Sequence, residues 1–146
     1  MKKCLSLLFA LALMTTVSFT QEKKVVASKD APQAVGPYSQ AIKAGGFVFT
    51  AGQLPIDPAT GKLVEGDVKA QPERVLKNLS VVLAAAGSNM DRVVKTTVFL
   101  KNMSDFPAMN EVYGQFFKNE PPSRSTIQVV ALAKDALVEI DAVALQ

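Results

Sequence analysis

Histidine is absent from this 146-residue chain, and its one cysteine, Cys4, lies near the start. A serine or cysteine nucleophile activated by an imidazole is therefore excluded, as are zinc sites of the Cys/His type and structural disulfides. No glycine-rich phosphate loop follows a strand-like segment. No run of Lys or Arg exceeds two residues, which argues against a nucleic-acid footprint. The longest apolar run, from Leu5 to Met14, is too short to span a membrane. Chemistry is left to carboxylates, Arg, Lys, Tyr, hydroxyls and backbone groups, with no metal or organic cofactor expected.

The apolar fraction, 49%, and the length suit one domain with its own core. The first twenty residues read differently from the rest. Lys2-Lys3 precede the Leu5–Met14 run, and small and polar residues follow (Thr15, Thr16, Ser18, Thr20). This is the layout of a secretory signal peptide, so residues 1–20 are expected to be removed and residues 21–146 to form an exported, periplasmic or secreted domain with no membrane attachment. Loss of Lys2 and Lys3 takes the formal charge from +3 to +1.

Along the remaining chain the hydrophobic period changes several times. A short strand is expected near Val25-Val26. Ser39–Lys43 and Phe47–Gln53 read as two strands of a hairpin around Gly45-Gly46. From Gln71, Val75, Leu79, Val82, Leu83 and Ala86 fall at helical spacing, with Pro72 in the first turn and Gly87 as the stop. Val93–Leu100 is a β-branched strand. A second helix is expected from an N-cap at Ser104 to about Phe117, with Phe106, Met109, Tyr113, Phe116 and Phe117 as its apolar stripe. Asn110 points along that stripe, as a hydrogen-bonded structural amide or a site residue.

The chain ends in two alternating segments. Arg124, Thr126 and Gln128 alternate with Ser125, Ile127 and Val129; Glu139 and Asp141 alternate with Val138, Ile140 and Ala142. As an antiparallel hairpin these strands would gather Arg124, Thr126, Gln128, Glu139 and Asp141 on one face. A tight turn at Lys134-Asp135 sets Glu139 opposite Val130, whereas a shift of four sets it opposite Thr126; the pattern allows both. It equally describes a solvated sheet face. Two amphipathic helices cannot cover both faces of such a sheet. The expectation is an α+β domain with a mixed sheet, both helices on one face and an oligomer interface on the other.

Several ordered motifs carry a resemblance. Pro122-x-Arg124-Ser125-Thr126 followed by Val138-Glu139-Ile140-Asp141-Ala142 resembles the C-terminal signature of the RidA/YjgF family, the reactive-intermediate imine deaminases. Gly36-Pro37-Tyr38-Ser39-Gln40, Thr50-Ala51-Gly52-Gln53-Leu54-Pro55, Val94–Phe99 and Asp105-Phe106 through Asn110 extend the match to residues 25–146. The resemblance implies a chorismate-mutase-like fold and a homotrimer with sites between subunits. It further implies hydrolysis of enamine/imine intermediates, 2-imino acids such as 2-iminobutanoate and 2-iminopropanoate, to 2-oxo acids and ammonia. Arg124 would anchor the carboxylate and Glu139 would handle water, with Tyr38, the Gly52 backbone, Asn110 and Thr126 lining the pocket. Many members carry Cys where this chain has Thr126, and Lys118–Glu120 is shorter than the corresponding segment of some members.

The residue types suit that chemistry. A guanidinium fork grips a carboxylate with two parallel hydrogen bonds and stays charged when desolvated. A carboxylate can deprotonate water and pass protons toward departing ammonia. The competing readings are a trimer that only binds small carboxylates or a partner protein and, more weakly, a ribonuclease or translation inhibitor, against which the +1 charge and missing histidine count.

Overall fold

The structure, a computed structural model, describes residues 22–146. The expected signal peptide, residues 1–20, lies outside the described residues. Three short strands, β1 (Lys24–Val26), β2 (Ala41–Ala44) and β3 (Phe47–Thr50), precede helix α1 (Ala70–Ala85). Strand β4 (Val93–Leu100), helix α2 (Phe106–Phe116), and strands β5 (Ser123–Gln128) and β6 (Val138–Leu145) complete the chain. They build one six-stranded sheet in the order β1-β2-β3-β6-β4-β5. Every pairing is antiparallel except β4 with β5, which the α2 crossover connects in parallel. This is the α+β, mixed-sheet architecture expected. Among the described residues no helix is long and apolar enough to cross a membrane.

Local chemistry explains the element ends. In α1 the stripe Val75, Leu76, Leu79, Val82 and Leu83 is buried against the sheet, with Pro72 in the first turn, where a missing N–H costs nothing. Gly87, at φ +79°, turns the chain so that the Ser88 N–H reaches the Leu83 carbonyl. The second helix starts later than a Ser104 cap requires. Ser104 sits in a 3-10 turn, Met103–Asp105, and α2 begins at Phe106 with Pro107 in its first turn and no side-chain cap. Proline's fixed φ and missing donor suit that first turn and place the start there.

The two C-terminal strands do not form a hairpin. Strand β4 lies between them, pairing with β5 on one side and β6 on the other. Residues 129–137 step across its end, where the Val129 N–H donates to the Leu100 carbonyl and the Lys101 N–H to the Leu137 carbonyl. Neither register allowed by the sequence pattern occurs. The reason is a reversal of facing. In β6 the apolar set Val138, Ile140, Ala142 and Ala144 turns toward the helices. In β5, Arg124 and Thr126 take that direction, because they share rows with the buried Thr96 and Val98 of β4.

One sheet face, carrying Val48, Val98, Leu100, Ile140 and Ala144, packs against α1 and α2. Among the described residues nothing packs on the other. A row of register partners runs across it from Val25 through Ile42, Phe49 and Val143 to Lys95. Phe47, Phe49, Ile127 and Leu145 on this face are 38–45% exposed, large apolar side chains left open to solvent.

Candidate active site

The residues singled out from the sequence divide into two groups on opposite faces of the sheet. The first is built by α2 against the edge strand β5. Phe106, Asn110 and Tyr113 lie one and two helical turns apart and so form a line over Arg124. The Arg124 guanidinium carbon is 4.5 Å from the centroid of the Tyr113 ring and 5.4 Å from that of Phe106. Its Nη2 donates to Asn110 Oδ1 at 2.8 Å. Asn110 is exposed, so the amide belongs to the rim and not to the core. Thr126 follows on the same face, half-buried. Among the described residues no carboxylate pairs with Arg124, and Asn110 is the one side-chain acceptor its guanidinium finds.

The second group surrounds Glu139 on the uncovered face, where Glu139 shares a row with Phe99. The segment beside it is pinned by reciprocal backbone bonds, Gln53 N–H to the Ile140 carbonyl at 2.8 Å and Ile140 N–H to the Gln53 carbonyl at 3.2 Å. This brings Gly52 directly under the carboxylate. A methyl group at Gly52 would overlap Glu139 Oε1 and lie 2.7 Å from its Cδ. Burial pushes the Glu139 carboxyl above the ordinary 4.5, and the neighbouring Asp141 adds to the rise. Asp141 in turn accepts the Thr97 N–H at 3.2 Å. Gly52 also lines a cavity of about 370 Å³ with Tyr38, Gln53, Leu54, Ile56 and Lys134. Tyr38 is 52% exposed.

Arg124, Asn110 and Thr126 are thus assembled together; Glu139 is seated on Gly52, and Gly52 in turn shares its cavity with Tyr38. The single chain does not bring Arg124 to Glu139. The gathering of all five polar side chains on one face is overturned, because β4 intervenes and β5 presents its other side. Among the described residues no group of three or more metal-ligating side chains is found. Sequence reading placed Tyr113 in the helical stripe but missed its contact with Arg124; the spacing of Phe106, Asn110 and Tyr113 was the available signal.

Gly52→Ala is expected to displace the Glu139 carboxylate, since the added carbon cannot share its space. The backbone there is fixed by the Gln53–Ile140 bonds, so the side chain must move. Overpacking of this kind typically costs about 1–3 kcal/mol. Thermal unfolding unchanged from the parent protein, together with an unmoved Glu139 in a structure of the variant, would contradict the contact.

Residues 28–146 match the family described as Endoribonuclease L-PSP. The chain belongs to this family, which includes the RidA, YjgF and RutC proteins. Reactive Intermediate Deaminase A of Arabidopsis thaliana chloroplasts is 44% identical over 133 residues, 91% of this chain and 71% of that protein. A RutC family protein of Pyrococcus horikoshii is 52% identical over 122 residues, covering 84% and 97%. Among solved structures, a Rid-family protein of unknown function from Yersinia pestis superposes with a TM-score of 0.84 at 47% identity, covering 86% of this chain and all of that one. E. coli TdcF with bound serine gives 0.80 at 40% identity, covering 84% and 98%. The six-stranded sheet with two helices is the RidA fold of these neighbours.

Proposed function

We propose that this RidA-family chain hydrolyses 2-imino acids to 2-oxo acids and ammonia, at a site completed when subunits associate through the uncovered sheet face. The observation that carries the reading is the separation of two incomplete half-sites. One holds a guanidinium with spare donors and, among the described residues, no carboxylate partner. The other holds a half-buried carboxylate of raised pKa over a glycine backbone and beside a cavity. Arg124 of one subunit facing Glu139 of another supplies a carboxylate anchor and a proton acceptor to one substrate, and a cyclic trimer closes such a head-to-tail contact.

In that site Arg124 binds the substrate carboxylate. Glu139 accepts a proton from water as its oxygen adds to the C=N carbon. Glu139 passes that proton to nitrogen, giving the carbinolamine. The carbinolamine then collapses: Glu139 takes the hydroxyl proton and delivers it to nitrogen as the C=O bond forms and the C–N bond breaks. One imino acid and one water become one 2-oxo acid and one ammonia. The bound serine of TdcF, an α-carboxylate ligand, and the name of the Arabidopsis relative support the substrate class. Ammonia release from freshly generated 2-aminoacrylate tests it. Acceleration over buffer is expected; binding of 2-oxo acids without acceleration would leave a carboxylate-binding protein instead.

Assembly has its own test. The wild type is expected to sediment as a trimer, and Phe49→Asp to shift it toward monomer and abolish turnover with the circular dichroism unchanged, because a buried unpaired carboxylate is costly. A wild type that is monomeric at micromolar concentration removes the shared site. Export remains the proposal made from Lys2-Lys3 and the Leu5–Met14 run. Mass spectrometry of the native protein should find an end near residues 18–21, and an intact Met1 or Lys2 end would refute it.

A further inference from the structure

Beneath Arg124 lies a buried polar pair that the proposed chemistry does not use. The Tyr113 hydroxyl and Thr96 Oγ1 are 2.7 Å apart. Tyr113 is 5% exposed and Thr96 fully buried. Thr96 is the register partner of Arg124 on the adjacent strand, so one row of the sheet supplies both the guanidinium and the anchor of the ring beneath it. Phe117 packs on the Tyr113 ring with centroids 4.5 Å apart, which limits its tilt from another side. Burial also pushes the Tyr113 phenol upward, so it stays neutral and keeps its donor.

Packing alone does not call for these hydroxyls. Replacing both partners of a buried hydrogen bond by apolar groups of the same shape is close to neutral for stability. An arginine side chain, by contrast, has many rotamers, and a bidentate grip needs its plane fixed. Asn110 holds one edge of the guanidinium and the Tyr113 ring holds its face.

From this geometry we infer that Tyr113, locked through Thr96, is a positioning residue that sets the plane of the Arg124 fork for the carboxylate of the ligand. The inference rests on Arg124 being the carboxylate anchor. Its test uses Tyr113→Phe, Thr96→Val and the double variant, with 2-oxobutanoate and its methyl ester as probes, read by calorimetry beside thermal unfolding.

The wild type should bind 2-oxobutanoate more tightly than the ester; equal binding of the two, or none, overturns the anchor reading itself. Given that preference, each single variant should bind the acid about 3- to 10-fold more weakly, as expected for losing the orienting effect of one hydrogen bond. Ester binding should not change. The double variant should be no weaker than either single and should unfold near the wild-type temperature. Should the double variant fold normally and keep wild-type discrimination between acid and ester, Tyr113 and Thr96 are packing residues and the inference fails. A uniform loss for acid and ester alike has the same meaning.

Discussion

Glu139→Gln is expected to lower kcat by about 10²- to 10⁴-fold, the range for loss of a general acid–base group, while 2-oxo acid binding stays within a few-fold of wild type. The amide keeps the shape over Gly52 but accepts no proton. Stability should not fall with it. A carboxyl whose folded-state pKa lies above its unfolded value contributes fully to stability below the unfolded value, and that contribution is lost as pH rises through the folded pKa. Once ionised, Glu139 therefore opposes folding, and Gln removes the penalty. The same rise in pKa predicts that wild-type kcat/KM falls on acidification at a pH above the ordinary carboxylate range, as the base becomes protonated. Full turnover by Glu139→Gln, or a pH profile flat down to 4, would show that the water is handled elsewhere.

Arg124→Lys is expected to reduce kcat/KM by roughly 10- to 150-fold, with weaker 2-oxo acid binding accounting for most of it. Losing one hydrogen bond to a charged group costs about 1.5–3 kcal/mol. Lysine retains the charge but is a flexible point donor, and it loses both the fork and the flat face that lies on Tyr113. The contrast between the two variants carries the argument: one should fail in binding, the other in turnover. Normal 2-oxo acid affinity in Arg124→Lys would mean that another group holds the carboxylate. Thr126→Cys should leave both quantities near wild type, since the pocket wall there needs no thiolate.

Much of the fold can be read directly from residue order. The 3.6-residue stripe from Val75 to Leu83 defines α1, and the β-branched run from Val93 defines β4, to the residue in the second case. The strands β5 and β6 are likewise visible in their alternation. Alternation says that neighbours on a strand face opposite ways; it does not say which strand lies alongside. Pairing Arg124 with Glu139 in a hairpin assumed that the apolar residues of both strands share a face. That assumption fails at β5, an edge strand whose apolar Ile127 turns to an uncovered face that is itself apolar.

Candidate residues were therefore nameable from sequence while their arrangement was not. The residue types of Arg124 and Glu139, with no histidine and no cysteine beyond Cys4, limited the chemistry to a guanidinium and a carboxylate. The insertion of β4 between β5 and β6 put those groups on opposite faces, so that neither half-site is complete in one chain. The stacking of Arg124 on Tyr113, and the seating of Glu139 over Gly52, were likewise decided by contacts between elements distant in sequence. Local patterns determine which residues can form a helix or strand because the forces involved act within a turn or two. Strand order and facing depend on burying all the apolar surfaces at once, and only the folded chain resolves that competition.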